Sequence, residues 1–182
     1  MTFDRDITLT TDRLLLRPFT EHDVPDVLEA GRDREMRRWM AWAPNQTPAQ
    51  AHEFCTRAAH EDPQQKICFA VEAAGRCCGS VSLQRAEWLF GRAEIGYWLA
   101  PWARGRGLIT EAVRALVDYG FGKGLHRIEL LAAVGNEASH RVAERAGFTR
   151  EAVLREAGVL FGGERTDMVM FARLNRPRRS PG

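Results

Sequence analysis

Between Ala93 and Ala115 the chain reads A-E-I-G-Y-W-L-A-P-W-A-R-G-R-G-L-I-T-E-A-V-R-A, and no other stretch constrains the fold as narrowly. Strand-forming residues end at Leu99, a turn carrying Pro101 follows, then Arg104-Gly105-Arg106-Gly107, then apolar residues at helical spacing. Each part has a physical role. Glycine lets backbone approach a ligand without a Cβ in the way and takes positive φ at little steric cost. The first turn of the following helix has unpaired N–H groups and the positive end of the helix dipole. A doubly basic, glycine-opened turn in that position is a seat for phosphate.

The length of 182 residues suits one domain with a sizeable core, assigned to residues 1–175, followed by a basic, flexible tail over 176–182. An apolar fraction of 45% argues for an ordinary globular chain, and a net charge of +2 excludes a polycation built for nucleic acid. Cys55, Cys68, Cys77 and Cys78 match no zinc or redox spacing, and adjacent Cys77 and Cys78 would face opposite sides of a strand. Buried reduced thiols are expected, with no metal. The N-terminal residues lack the basic and apolar regions of a signal peptide, and no run is long enough to span a membrane. The expected location is the cytoplasm.

Periodicity predicts a first strand from Ile7 to Pro18 and helical residues from Glu21 to about Arg38, broken near Gly31. Thr47 as N-cap, Pro48 at the first helical position and Gln50 completing a capping box predict a second helix to about Glu61. Three strands form a meander: Ile67–Ala73, Arg76–Arg85 and Arg92–Leu99. The helix after Gly107 has Ile109, Ala112, Val113, Leu116 and Tyr119 on one stripe and ends at Gly122 and Gly124. An interior strand His126–Val134, a helix capped by Asn136, and strands Phe148–Arg155 and Thr166–Leu174 complete the chain. The expected fold is α/β: a mixed central sheet of about six to seven strands with flanking helices and one parallel crossover at the central motif.

Rival phosphate folds fail on their residues. Gly105-x-Gly107-x-x-Thr110 lacks the third glycine of the dinucleotide fingerprint, and no Gly-Lys-Ser/Thr loop occurs. His60-Glu61 is followed by Gln64 where a zinc helix needs histidine, and no Gly-x-Ser-x-Gly elbow is present.

Four stretches carry a family resemblance. R-G-R-G-L-I at Arg104 to Ile109 resembles the acetyl-CoA pyrophosphate loop of the GNAT N-acetyltransferases. T-D-R-L-L-L-R-P-F (Thr11 to Phe19), E-I-G-Y-W-L (Glu94 to Leu99) and N-E-A-S-H-R-V-A-E-R-A-G-F (Asn136 to Phe148) resemble its RimJ/RimL branch, which acetylates ribosomal-protein N-termini. Ile109 departs from the Gly or Ala usual there. Its side chain must point into the core, or the loop must differ.

The resemblance implies the GNAT acyl-CoA N-acyltransferase fold, with strands splayed at the cofactor slot, and acetyl-CoA as acyl donor. Backbone amides from Arg104 through Gly105, Arg106, Gly107, Leu108 and Ile109 to Thr110 would hold the pyrophosphate. Tyr97, Trp98 and Leu99 would line the pantetheine arm with their backbone while the Tyr97 and Trp98 side chains pack in the core. The amide near Leu99 would polarise the thioester carbonyl. Asn136 would hold the arm as well as cap its helix. Ser139 is either the acid that protonates the departing thiolate or a helix-surface serine; the tyrosine usual on this helix is absent. Arg141 either reaches the 3′-phosphate or faces solvent.

Glu94 is the candidate base, on one strand face with Gly96 and Trp98; its alternative is a ladder ion pair with a neighbouring arginine. It lies roughly 13 Å along the strand from Trp98 and would act through water. An α-amine of pKa about 7.7–8.0 needs little help from a base, whereas a lysine costs about 4 kcal/mol to deprotonate at cytosolic pH. Trp39, Trp42 and Trp88 are aromatic residues at loop positions, suited to an acceptor-binding wall or to partial burial.

The resulting expectation is an N-acetyltransferase joining acetyl-CoA and a primary amine in a ternary complex. A protein or peptide N-terminus is the leading acceptor. A small-molecule amine (antibiotic, polyamine or amino-acid derivative) is the alternative, and a non-catalytic acyl-CoA-binding module is the alternative of another class. Partners beyond the amine are a homodimer mate at most, with neither membrane nor direct nucleic-acid contact.

Overall fold

The computed structural model describes residues 1–40 and 47–176. Its strands are β1 (Leu9–Thr10), β2 (Leu15–Arg17), β3 (Ile67–Ala73), β4 (Arg76–Glu87), β5 (Arg92–Leu99), β6 (Arg127–Ala133), β7 (Thr149–Val159) and β8 (Arg165–Leu174). Its helices are α1 (Val24–Gly31), α2 (Arg34–Arg38), α3 (Pro48–Thr56), α4 (Leu108–Gly122) and α5 (Glu137–Arg145). The eight strands form one sheet in the order β1-β2-β3-β4-β5-β6-β8-β7.

The sheet has eight strands because the first predicted strand is a hairpin. The Leu14-Leu15-Leu16 run suggests an uninterrupted strand, but Thr11 closes a turn. Its N–H donates to the Leu14 carbonyl (3.0 Å), and its hydroxyl accepts from the Leu14 N–H (3.0 Å). Leu9 then lies opposite Leu16. The Thr47–Gln50 capping box forms as the sequence predicts, yet α3 stops at Thr56 and a 3₁₀ turn carries the chain to His60. Strand bounds for β3 and β5 coincide with the sequence reading, and β4 extends two residues further, to Glu87.

Alternation along the strands sends side chains into two cores. On one face, α4 and α5 cover Phe69, Val71, Val81, Leu83, Ile95, Ile128 and Leu130. On the other, α1 and α3 cover Cys68, Ala70 and Cys77, with Trp98 packed against them. The helix stripe Ile109, Ala112, Val113 and Leu116 is buried in the first core, while Arg114 and Asp118 face solvent. Fully burying one such aliphatic side chain stabilises by about 1.5–3 kcal/mol. Cys77 and Cys78 do face opposite sides, one in each core, and all four thiols are buried and free. Burial pushes all four upward, Cys55 to about 12, so they stay protonated and unreactive.

The one parallel pair decides where the site lies. β5 and β6 are joined by the α4 crossover and pair only at Arg92–Arg127, Ala93–Ile128 and Glu94–Glu129. Beyond that point the strands take different partners: β5 continues along β4 to Leu99, and β6 along β8 to Ala133. The backbone from Ile95 to Leu99 therefore faces a slot on its β6 side.

Candidate active site

The closed end of the slot is a carboxylate pair. Glu94 and Glu129 lie opposite each other in the last parallel register position. Each has its own counter-charge: Glu94 accepts from Arg85 Nη1 (2.8 Å) and Gln84 Nε2 (3.1 Å), and Glu129 from Arg127 Nε (2.6 Å). The ladder ion pair envisaged for Glu94 therefore exists. Arg85 is largely exposed, so solvent competes for that pair and it is weak.

The open end of β5 runs through a 3₁₀ turn (Pro101–Ala103) into the glycine-basic loop. Gly105 and Gly107 have φ of +76° and +75°, values at which a Cβ is strained. Gly107 is the N-cap of α4 and offers no side chain to cap it. The first helical bond is from Glu111 N–H to the Gly107 carbonyl. Among the described residues, the amides from Gly105 to Thr110 make no hydrogen bond, so the loop presents a row of donors at the positive end of a fifteen-residue helix. This is the arrangement a diphosphate requires. Arg104 and Arg106 are exposed beside it. The Ile109 side chain is buried in the core, one of the two outcomes anticipated for a β-branched residue there.

Two tethers hold this loop, and neither has a local sequence signal. The first comes from the β1–β2 hairpin. Glu111 accepts from the Thr11 hydroxyl (2.6 Å), the Arg13 N–H (3.1 Å) and Arg13 Nε (2.7 Å), while Arg13 Nη1 donates to the Arg106 carbonyl (2.9 Å). Burial works against the charge on Glu111, but these donors hold its carboxyl below the ordinary value. The second comes from α2, whose N-cap Asp33 accepts from the Met36 N–H (2.7 Å) and forms an ion pair with Arg104. Asp33 is likewise depressed: burial opposes ionisation, and Arg104 and the Met36 amide outweigh it.

On the far wall of the slot, Asn136 caps α5 by accepting from the Ser139 N–H (3.1 Å). Ser139 is half-buried, and its carbonyl accepts from the Tyr97 hydroxyl at 3.4 Å. Tyr97 therefore reaches from β5 to the first turn of α5. Burial pushes its phenol up to about 12, so it remains a neutral donor at physiological pH. Trp98 points to the opposite face and packs in the second core. The Leu99 carbonyl accepts from Arg104 Nε (3.3 Å). Arg141 is exposed on α5.

Trp39 reaches the slot's open end: a Cβ built on Gly135, just before Asn136, would lie 3.3 Å from its ring. Trp88 does not reach it. It follows β4, at the opposite end of β5, where Nε1 donates to the Gln64 carbonyl (2.6 Å) and its ring packs on Phe3, tilted by 54° with centroids 4.8 Å apart. Packing on Phe3 outweighs solvent exposure of a large apolar ring, so this loop tryptophan is structural. Trp42 lies outside the described residues. Arg13, Thr11, Glu111 and Asp33 are the site residues that sequence reasoning missed.

No helix of the described chain is long and apolar enough to cross a membrane, and no cluster of potential metal ligands occurs among the described residues.

Comparison with known proteins places this geometry in a family. The profile described as Acetyltransferase (GNAT) domain matches residues 13–149. Bacillus subtilis YdaF is 42% identical over 103 residues, 56% of each chain. The ribosomal-protein-serine acetyltransferase of Escherichia coli is 37% identical over 107 residues, 58% of this chain and 59% of the relative. The chain thus spans little more than half the length of either. A solved structure of RimL, the ribosomal L7/L12 α-N-protein acetyltransferase, in complex with coenzyme A superposes with a TM-score of 0.80, covering 92% of this chain and 98% of that one at 24% identity. The profile match shows that the chain belongs to the acyl-CoA-dependent GNAT family of N-acetyltransferases, and its likeness to YdaF and the ribosomal-protein-serine acetyltransferase makes it similar to the RimJ/RimL-like branch.

Proposed function

We propose that this chain transfers an acetyl group from acetyl-CoA to a primary amine, with a protein or peptide N-terminus as acceptor. The observation that carries the reading is the slot: two parallel strands part after Glu94–Glu129, and the loop with free amides stands where the slot opens. Those residues fit coenzyme A. Free N–H groups from Gly105 to Thr110 suit its diphosphate, with Arg104, Arg106 and Arg141 adding positive charge. The unpaired side of β5 from Tyr97 to Leu99 suits the amide-bearing pantetheine arm.

The chemistry follows from the donors and acceptors at hand. The amine nitrogen forms a C–N bond to the thioester carbonyl, and the amide near Leu99 stabilises the oxyanion. Glu94 takes the amine proton through water. The C–S bond then breaks, and the sulfur takes the Ser139 proton. The hydroxyl is reprotonated from water as Glu94 releases the amine proton to solvent, so both side chains end as they began. A thiol near pKa 8.5 leaves readily, so a hydroxyl donor is sufficient acid. An α-amine near 7.7–8.0 is partly neutral at physiological pH and suits a single, remote carboxylate. The YdaF and ribosomal-protein-serine acetyltransferase similarities favour the protein N-terminus over a small amine.

The test is thiol release from acetyl-CoA against a panel of N-terminal peptides and small amines. The reading requires turnover with at least one peptide α-amine, abolished when that amine is blocked. Turnover with small amines alone moves the acceptor to that class, and coenzyme A binding without turnover on any amine leaves a binding module.

A further inference from the structure

We propose that the acceptor is an acidic peptide N-terminus, its carboxylates held by three arginines on α2; this rests on the acetyltransferase reading above. The observation is a pocket of about 430 Å³ lined by Arg34, Arg37, Arg38, Leu160, Phe161 and Glu164. It lies where α2 meets the β7–β8 hairpin.

The fold puts this pocket at the open end of the slot. The N-cap of α2 is paired with Arg104 of the glycine-basic loop, and its C-cap residue, Trp39, lies against Gly135 at the end of β6. The helix therefore bridges the two strands that part. The hairpin reaches the same place because β8 pairs with β6, the Val134 N–H donating to the Asp167 carbonyl (3.0 Å) beyond which the hairpin turns. A chain whose N-terminal amine entered the slot from this end would pass between α2 and this hairpin.

The pocket's charge is lopsided, and Asp33, the carboxylate that feels Arg37 from within α2, is already ion-paired to Arg104. Three guanidiniums face one carboxylate, and no salt bridge engages Arg34, Arg37 or Arg38 among the described residues. Arg37 lines the pocket, and its Nε is buried without a hydrogen-bond partner. The Arg38 guanidinium lies 4.6 Å over the Trp39 ring, which directs it to the slot side of the helix. Positions i, i+3 and i+4 place the three side chains on one helix face, about 5–6 Å apart at Cβ. That spread exceeds a single carboxylate and suits a chain bearing two or more in succession. Phe161, 48% exposed, and Leu160 offer apolar contact to the peptide's body. A polycationic acceptor would meet like charge here.

The experiment compares three C-terminally labelled peptides that differ only after an N-terminal serine: Glu-Glu, Gln-Gln or Lys-Lys at positions two and three. Thiol release gives kcat and KM; anisotropy with coenzyme A present gives peptide binding without turnover; calorimetry gives coenzyme A affinity. Wild type should favour the acidic peptide over the neutral one by at least roughly tenfold in kcat/KM, the factor that about 1.4 kcal/mol of charge pairing represents. The gain should reside in KM and shrink with added salt. R34Q/R38Q should abolish the preference while leaving coenzyme A affinity unchanged, and E164Q should widen it. Equal use of neutral or basic peptides overturns the proposal, as does loss of coenzyme A affinity in R34Q/R38Q, which would assign the arginines to the cofactor. Free glutamate acetylated in place of every peptide rejects the peptide source. Acidic-peptide binding with no acetylation would refute the transferase reading but keep the pocket; acetylation without charge preference would do the reverse.

Discussion

Replacing Gly107 with alanine tests the loop geometry in one methyl group. Gly107 has φ +75° and ψ 5°, the left-handed region, where an L-residue costs roughly 1–2 kcal/mol. Space is not the obstacle: the nearest atom to a Cβ there is Arg13 Nη2 at 3.8 Å, an ordinary contact. The whole penalty is therefore backbone strain. For a chain of this length 1 kcal/mol shifts the melting midpoint by roughly 2–4 °C, so G107A should melt about 2–8 °C below wild type. Gly122 supplies the control. It lies in the last position of α4 with nothing within 4 Å of a built Cβ, and its φ is not positive. G122A should be stabilised by about 0.5–1 kcal/mol, because alanine loses less entropy in a helix. Differential scanning calorimetry of the two variants measures the opposite shifts. If the strained backbone instead relaxes in G107A, the amides turn and coenzyme A affinity falls while stability is retained. A G107A protein unchanged in both midpoint and affinity would refute the left-handed loop and the seat built on it.

Three further outcomes follow from the site. Glu94→Gln should lower kcat roughly 100-fold near pH 7 with coenzyme A affinity unchanged, and the deficit should narrow at higher pH as the amine deprotonates unaided; an unchanged kcat removes Glu94 as base. Glu111→Gln leaves Arg13 without its counter-charge, so coenzyme A affinity should fall several-fold as the Arg106 carbonyl loses its anchor, read by calorimetry; equal affinity would make that tether irrelevant to the loop. The tethers are also pH-sensitive in a defined direction. Asp33 and Glu111 are depressed below ordinary values of 3.8 and 4.5 in the folded chain, so their stabilisation is complete above those values and is lost as pH falls through the lower, folded ones. The difference in melting midpoint between wild type and Glu111→Gln should hold from pH 7 to 5 and shrink only as pH falls below the ordinary carboxylate values, whereas loss of that difference above pH 5 would implicate other groups.

Local signals were legible where local physics decides. The capping box at Thr47, the β3 and β5 boundaries, the Asn136 cap and the inward turn of Ile109 each depend on residues within a few positions. The splay of β5 from β6 was harder to read, because no residue in either strand encodes where pairing stops. The Leu14-Leu15-Leu16 run disguised a hairpin, since the Thr11 turn is made by one hydroxyl rather than by glycine or proline. The tethers were invisible: Thr11 and Glu111 are 100 residues apart, and Asp33 and Arg104 are 71 apart. Trp88 and Trp39 look alike in sequence, both loop aromatics, and only tertiary packing sends one onto Phe3 and the other over Gly135. The arginine triplet on α2 is plain in the sequence; what faces it is not.

Amide chemical shifts, followed while the protein is titrated with coenzyme A and separately with pantetheine, put the pyrophosphate seat to the most direct test. Coenzyme A should move the amides of Gly105 through Thr110 together with those of Tyr97 to Leu99. Pantetheine, which lacks the diphosphate, should move only the β5 set. Glycine-loop amides that stay fixed at saturating coenzyme A, or that respond equally to pantetheine, would contradict the account at its base.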